Sequence, residues 1–165
     1  MSIAEAVERA NRYLTEHPEE ARYRDSAARA HLESGLVVDV TGPTGEALRT
    51  DMPTGIGGTA SAPSPGWFLR AAEASCIAAL VGIRAAALGI ELRSVDVEVD
   101  SESDDRGILG LDADVPAGAL NVRAVIAIDA EADRGVIDAL GAWAVDHCPV
   151  MDTVRRAVPL EIEVR

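Results

Sequence analysis

The chain has 165 residues, 48% of them hydrophobic, with a mean hydropathy of +0.09; it is too apolar for a disordered polymer, too polar for an ordinary membrane protein, and long enough for one core. The net charge is −13, all 15 basic residues are Arg, and no basic run or aromatic cluster occurs, a field that repels phosphates and anionic head groups. Nucleic-acid and membrane-surface roles are therefore disfavoured, and a small neutral substrate is expected.

Ile3, Val7, Ala10 and Leu14 recur at helical spacing before Pro18, which predicts an amphipathic N-terminal helix. Glu5, Glu8, Arg9 and Arg12 interrupt that segment, so it does not read as a secretory signal, and a cytoplasmic location is expected. In such a reducing compartment the two cysteines, Cys76 and Cys148, are inert core residues or working thiols rather than a disulfide framework.

Leu36, Val38 and Val40 alternate with Val37 and Asp39, and Thr41-Gly42-Pro43-Thr44-Gly45 turns the chain toward Glu46–Arg49, a hairpin or small meander. Met52–Pro65, rich in Gly, Pro, Ser and Thr, reads as a flexible, linker-like loop. Ser64 and Pro65 then open a helix that runs to about Leu88, with Gly89 as its stop. Its Ala71–Ile90 stretch is interrupted by Glu73 and Arg84, and so reads as a buried central helix rather than a membrane span.

Val95, Val97 and Val99 alternate with acidic residues to give a strand with one wet face. Leu120–Asp129 predicts a second strand, covered on both sides. A helix is expected over Asp133–His147, a short one from Pro149 to about Ala157, and a terminal strand where Leu160, Ile162 and Val164 alternate with Glu161, Glu163 and Arg165. This order does not alternate strand and helix as a Rossmann or barrel fold would.

Cys76 lies about three turns inside the central helix, with Glu73 one turn earlier on the same face. Too deep for the helix dipole, it would need a borrowed cation, and a buried structural cysteine is the plain alternative. Cys148, in His147-Cys148-Pro149, sits where a new helix begins and has free N–H groups to stabilise a thiolate. Gly55, Gly57 and Gly58 match no phosphate loop, Asp100–Asp105 lacks the glycine and glutamate of a calcium loop, and the Cys and His residues form no zinc pattern. No cofactor or metal is expected.

Pro63-Ser64-Pro65 followed by Leu69 and Cys76 in a long Ala-rich helix, together with His147-Cys148-Pro149-Val150 before the last strand, resembles the OsmC/Ohr family. The resemblance runs from about Ala27 to Arg165 and implies an α+β fold with antiparallel sheets around a long central helix, in an intertwined homodimer with active sites at the subunit interface. It divides the chain into a helical extension, residues 1–22, and an OsmC-like domain, residues 23–165.

The resemblance further implies that Cys76 attacks an organic hydroperoxide and that Cys148 resolves the resulting sulfenic acid, with a dithiol reductant closing the cycle. In the peroxidase branch a Glu stands ten residues before the attacking Cys, where this chain has Gly66, and the family Arg is missing near His31–Leu36. Glu73 is the candidate to replace the missing carboxylate, and Arg49 or Arg29 the candidate to replace the missing cation. The competing expectation, favoured by Gly66, is an OsmC-like small-molecule binding or thiol-sensing protein with weak or no peroxidase activity.

Overall fold

Ser2 and Glu5 cap the first helix reciprocally, the Ser2 N–H donating to Glu5 Oε2 at 2.7 Å and the Glu5 N–H to Ser2 Oγ at 3.2 Å. The computed structural model describes all 165 residues, and this helix, α1, spans Ile3–Glu16. The chain divides into two compact units, Arg9–Leu69 and a second formed by Met1–Glu8 with Arg70–Arg165.

In the first unit, β1 (Arg29–Ser34), β2 (Val37–Thr41) and β3 (Ala47–Thr50) form an antiparallel meander. Gly35 makes the first turn with φ +57°, and Gly45 the second with φ +99°, conformations that glycine adopts without a Cβ penalty. In the second turn the Thr44 N–H and hydroxyl both donate to the Glu46 carboxylate.

The segment expected to be a flexible linker is instead tied to a buried Asp51. Its Oδ2 accepts from the N–H groups of Thr59 (3.1 Å) and Ser61 (3.0 Å) and from their hydroxyls (2.6 and 2.9 Å), while Oδ1 accepts from the Met52 N–H at 2.7 Å. These donors hold the Asp51 carboxyl far below the usual carboxylate range, the Thr59 hydroxyl most of all. Gly58 lies so close to the Met52 carbonyl that a Cβ would come within 1.8 Å of its oxygen.

The central helix α2 spans Pro65–Ala87. Pro65 takes its first position, and Ser64 Oγ accepts the Trp67 N–H at 3.3 Å. Its end is a Schellman motif, in which Gly89 at φ +68° lets the Ile90 N–H reach the Ala85 carbonyl (2.9 Å) and the Gly89 N–H reach Ala86 (3.2 Å). Length and composition alone would let α2 cross a membrane, yet its stripe of Glu73, Ile77, Val81 and Ala85 is fully buried against protein.

In the second unit, β4 (Leu92–Glu102) and β5 (Asn121–Ala130) pair antiparallel with Val95 opposite Ile128 and Val97 opposite Ile126. Those apolar residues and Ala124 pack on Ile77 and Val81 of α2, along with Ala144 of α4 (Arg134–Asp146) and Met151 of α5 (Pro149–Arg155). Each fully buried Ile, Val or Leu contributes about 1.5–3 kcal/mol. The other face of β5 is open, with Val125 46% exposed, so the expectation of a strand covered on both sides does not hold for the single chain. Asp104 does more than solvate a turn: its carboxylate caps the one-turn α3 (Asp105–Ile108), accepting the Arg106 N–H at 3.0 Å.

The expected terminal strand is absent. Residues 156–165 are irregular and solvent-exposed, with Leu160 at 80%, Ile162 at 78% and Val164 at 91%. Alternation writes a strand only where an edge accepts its hydrogen bonds, and the single chain supplies this segment with none.

Candidate functional site

Cys76 and Cys148 are both free thiols, and the fold brings them together in the core of one unit. Cys76 stands on the third turn of α2, one position before the buried Ile77, and is half-buried. Cys148 is the N-cap of α5 and fully buried; Pro149 at the first helical position sets the cap, and Cys148 Sγ accepts the Met151 N–H at 3.4 Å. The sequence reading of Cys148 as a capping thiol is thus met by a specific donor.

Burial, first of all, pushes the Cys76 thiol up; the neighbouring Cys148 raises it further, and the Val150 backbone opposes the rise. No arginine acts on this thiol within the unit. The more accessible sulfur therefore holds its proton more tightly than an ordinary cysteine. The influence of the Val150 backbone was invisible to sequence reasoning, which looked for a side-chain cation.

Glu73 is fully buried one helical turn before Cys76, and neither carboxylate oxygen has a hydrogen-bond partner. Burial raises its pKa, with the nearby Arg70 charge opposing. Arg70 does not pair with it; its Nη1 donates to Ser101 Oγ of β4 at 3.2 Å.

Arg49, the cation proposed from the sequence, belongs to β3 in the other unit. It pairs across the sheet with Asp39, donating from Nε and Nη2 to the two carboxylate oxygens at 2.6 Å each, and this partner lowers the Asp39 pKa. Arg29 opens β1 opposite Thr41 and is exposed.

His147 is engaged elsewhere than its neighbour Cys148: Nδ1–H donates to the Trp143 carbonyl at 2.8 Å, and its ring stacks on Trp143 with centroids 4.2 Å apart. Arg84 of α2 lies 5.1 Å from the same indole centroid. This Arg84, Trp143 and His147 cluster, which links α2 to the end of α4, escaped the sequence reading because its members are spread over three turns of two helices. His17, Glu19 and Glu20 also gather their ligand atoms within 4.8 Å, but Glu20 already accepts from the Tyr13 hydroxyl at 2.6 Å.

Comparison with known proteins places these observations. The family model described as OsmC-like protein matches residues 58–163, which include both cysteines and Glu73. Among solved structures, the chain resembles an organic hydroperoxide resistance protein OsmC from Legionella pneumophila at 20% identity, covering 81% of this chain and 91% of that one with a TM-score of 0.61. An OsmC-like protein from Mycoplasma pneumoniae aligns at 16% identity over 81% and 89% of the two chains, TM-score 0.69. The organic hydroperoxide resistance protein OhrB of Bacillus subtilis aligns at 17% identity over 80% and 91%, TM-score 0.53. At these identities the likeness is one of fold. A comparison with curated proteins finds no match.

Proposed function

The chain belongs to the OsmC family, and from that premise we propose that it is a thiol-dependent peroxidase that reduces organic hydroperoxides through Cys76 and Cys148. The observation that carries this reading is the pairing itself. Two free thiols from distant parts of the sequence meet in one core, with the first half-buried and the second sealed.

The accessible sulfur is the one a hydroperoxide reaches. Cys76 thiolate attacks the terminal oxygen, an S–O bond forms as the O–O bond breaks, and the products are a Cys76 sulfenic acid and an alkoxide that takes up a proton. Cys148 then attacks the sulfenic sulfur, expelling water and forming the Cys76–Cys148 disulfide. A dithiol reductant exchanges with that disulfide, restoring both thiols and becoming oxidised itself.

The apolar side chains packed with Cys76 around one core, among them Leu80 and Val150, favour an organic over an inorganic peroxide. In this reading the protein is cytoplasmic and works as a homodimer, and the extended C-terminal segment with its exposed Leu160, Ile162 and Val164 is the strand that a second copy accommodates. Arg49, the cation expected from the sequence, is paired with Asp39 in the single chain.

The test is to add cumene hydroperoxide to the reduced protein and follow free thiols, then turnover with a dithiol reductant. Fast loss of two thiols, abolished in Cys76→Ser and arrested at the sulfenic acid in Cys148→Ser, supports the reading. Sluggish thiols without turnover would sink it and favour the second reading, an OsmC-like binding or thiol-sensing protein. The observation on that side is the raised Cys76 pKa, with no arginine to offset burial.

A further inference from the structure

Glu73 is the one buried side chain in this protein whose polar atoms are all without a hydrogen-bond partner. It occupies the core stripe of α2 at 0% exposure, in line with Ile77, Val81 and Ala85. An unpaired buried carboxylate is expensive, and evolution can remove one with a single change to Gln or Leu. Its placement one helical turn from Cys76, with Cβ atoms at about 5–6 Å in that relationship, points to a use for it. Arg70, the nearest cation along the helix, is bonded to Ser101 rather than to Glu73.

We propose that Glu73, in its carboxylic acid form, is the proton donor to the departing alkoxide when Cys76 attacks a hydroperoxide. This rests on the peroxidase reading and adds a catalytic residue to it. As the Cys76 S–O bond forms at the terminal oxygen and the O–O bond breaks, the electron pair of that bond goes to the oxygen bonded to the organic group. The Glu73 O–H delivers its proton there, so an alcohol rather than an alkoxide leaves and a carboxylate remains on Glu73. A proton returns to that carboxylate through the site the alcohol vacates, because the folded core otherwise seals it. Burial raises the Glu73 pKa, against the Arg70 charge, in the direction that favours the acid form. An alkoxide is a poor leaving group, which is why an acid at this position matters.

Peroxide substrates that differ only in their need for that proton separate this role from a structural one. The rate of Cys76 sulfenic acid formation is measured by stopped-flow in the full-length protein and in Glu73→Gln, with cumene hydroperoxide and with peracetic acid, whose acetate leaves without protonation. A fall on the order of 100-fold with cumene hydroperoxide, alongside a near wild-type rate with peracetic acid, is the expected result. Equal losses with both oxidants assign Glu73 a merely structural role and overturn the proposal, as does a variant unimpaired with either.

Should Glu73→Gln fail to fold, the wild-type protein alone decides across a series of hydroperoxides of graded leaving-group pKa. A shallow dependence of rate on that pKa supports acid assistance, and a steep one refutes it. A wild-type protein inert to both oxidants overturns the peroxidase reading itself, a failure distinct from one seen only in the variant.

Discussion

Cys76 and Cys148 face each other as free thiols of unequal access: the first is half-buried on α2, the second has 0% exposure and caps α5. Their chemistry should be correspondingly unequal. In the native protein iodoacetamide should alkylate Cys76 alone, slowly at pH 7 because burial and Cys148 raise its pKa, and faster as pH climbs through that raised value. Cys148→Ala removes the neighbour that raises the Cys76 pKa, so the alkylation curve should move to lower pH. Mass spectrometry of the labelled peptides checks both; preferential labelling of Cys148 would contradict the burial order.

Glu73 should make the fold lose stability as pH rises. Its folded-state pKa is raised by burial, so the stability it contributes is complete below the unfolded carboxyl value of about 4.3 and disappears as pH climbs through the folded value. Glu73→Leu, which needs no hydrogen-bond partner, should stabilise the protein above that range by about 1–3 kcal/mol and flatten the profile. Thermal melts between pH 4 and pH 8 read this directly, and identical profiles for the two proteins would count against it.

Asp51 should govern the order of residues 52–63. Asp51→Asn turns an acceptor of five donors into a mixed group that cannot satisfy them, so the Thr59 and Ser61 amides should exchange hydrogen much faster. Since those donors depress the carboxyl pKa, the wild-type contribution persists above the unfolded value and fades only as pH drops far into the acid range. Exchange mass spectrometry at neutral pH is the measurement.

Two glycines should respond oppositely to alanine. Gly58→Ala forces a Cβ to within 1.8 Å of the Met52 carbonyl oxygen and should cost about 1–3 kcal/mol through backbone displacement. Gly141→Ala meets nothing nearer than the Ile126 and Ile128 Cδ1 atoms at 4.0 Å and should be neutral or stabilising, since Gly in a helix is worse than Ala by about 1 kcal/mol. Urea denaturation of both variants settles the contrast.

Deleting residues 158–165 should convert the proposed dimer to monomer. The exposed Leu160, Ile162 and Val164 have no partner within the chain, so their removal leaves its own core untouched. Light scattering coupled to size exclusion should show the mass halve; an unchanged dimer would assign the interface to other surfaces.

How far the sequence carried the argument depended on whether each signal was local. Ser64, Pro65 and Gly89 delimit α2 through backbone geometry within a few residues, so its ends were readable. The capping role of Cys148 was readable for the same reason. Arg49 was not: its partner Asp39 is chosen by the register of β2 against β3, a matter of which residues end up opposite each other. The Met52–Pro65 loop was misread as flexible because composition reports chain propensity and not the bonds that Thr59 and Ser61 make to Asp51. Glu73 was placed near Cys76, but the lack of any partner for its carboxylate emerges only from packing. The C-terminal alternation was real, but a strand needs an edge as well as a pattern.

The stack of His147 on Trp143 gives the molecule an internal optical gauge. The chain has only two tryptophans, and Trp67 is remote in character, half-exposed and edge-on to Phe68. In a Trp67→Phe protein all indole emission comes from Trp143, in contact with an imidazole whose protonated form quenches it. Because that imidazole adjoins Cys148 at the head of α5, any shift of α5 on disulfide formation would register as a change in fluorescence, without a label.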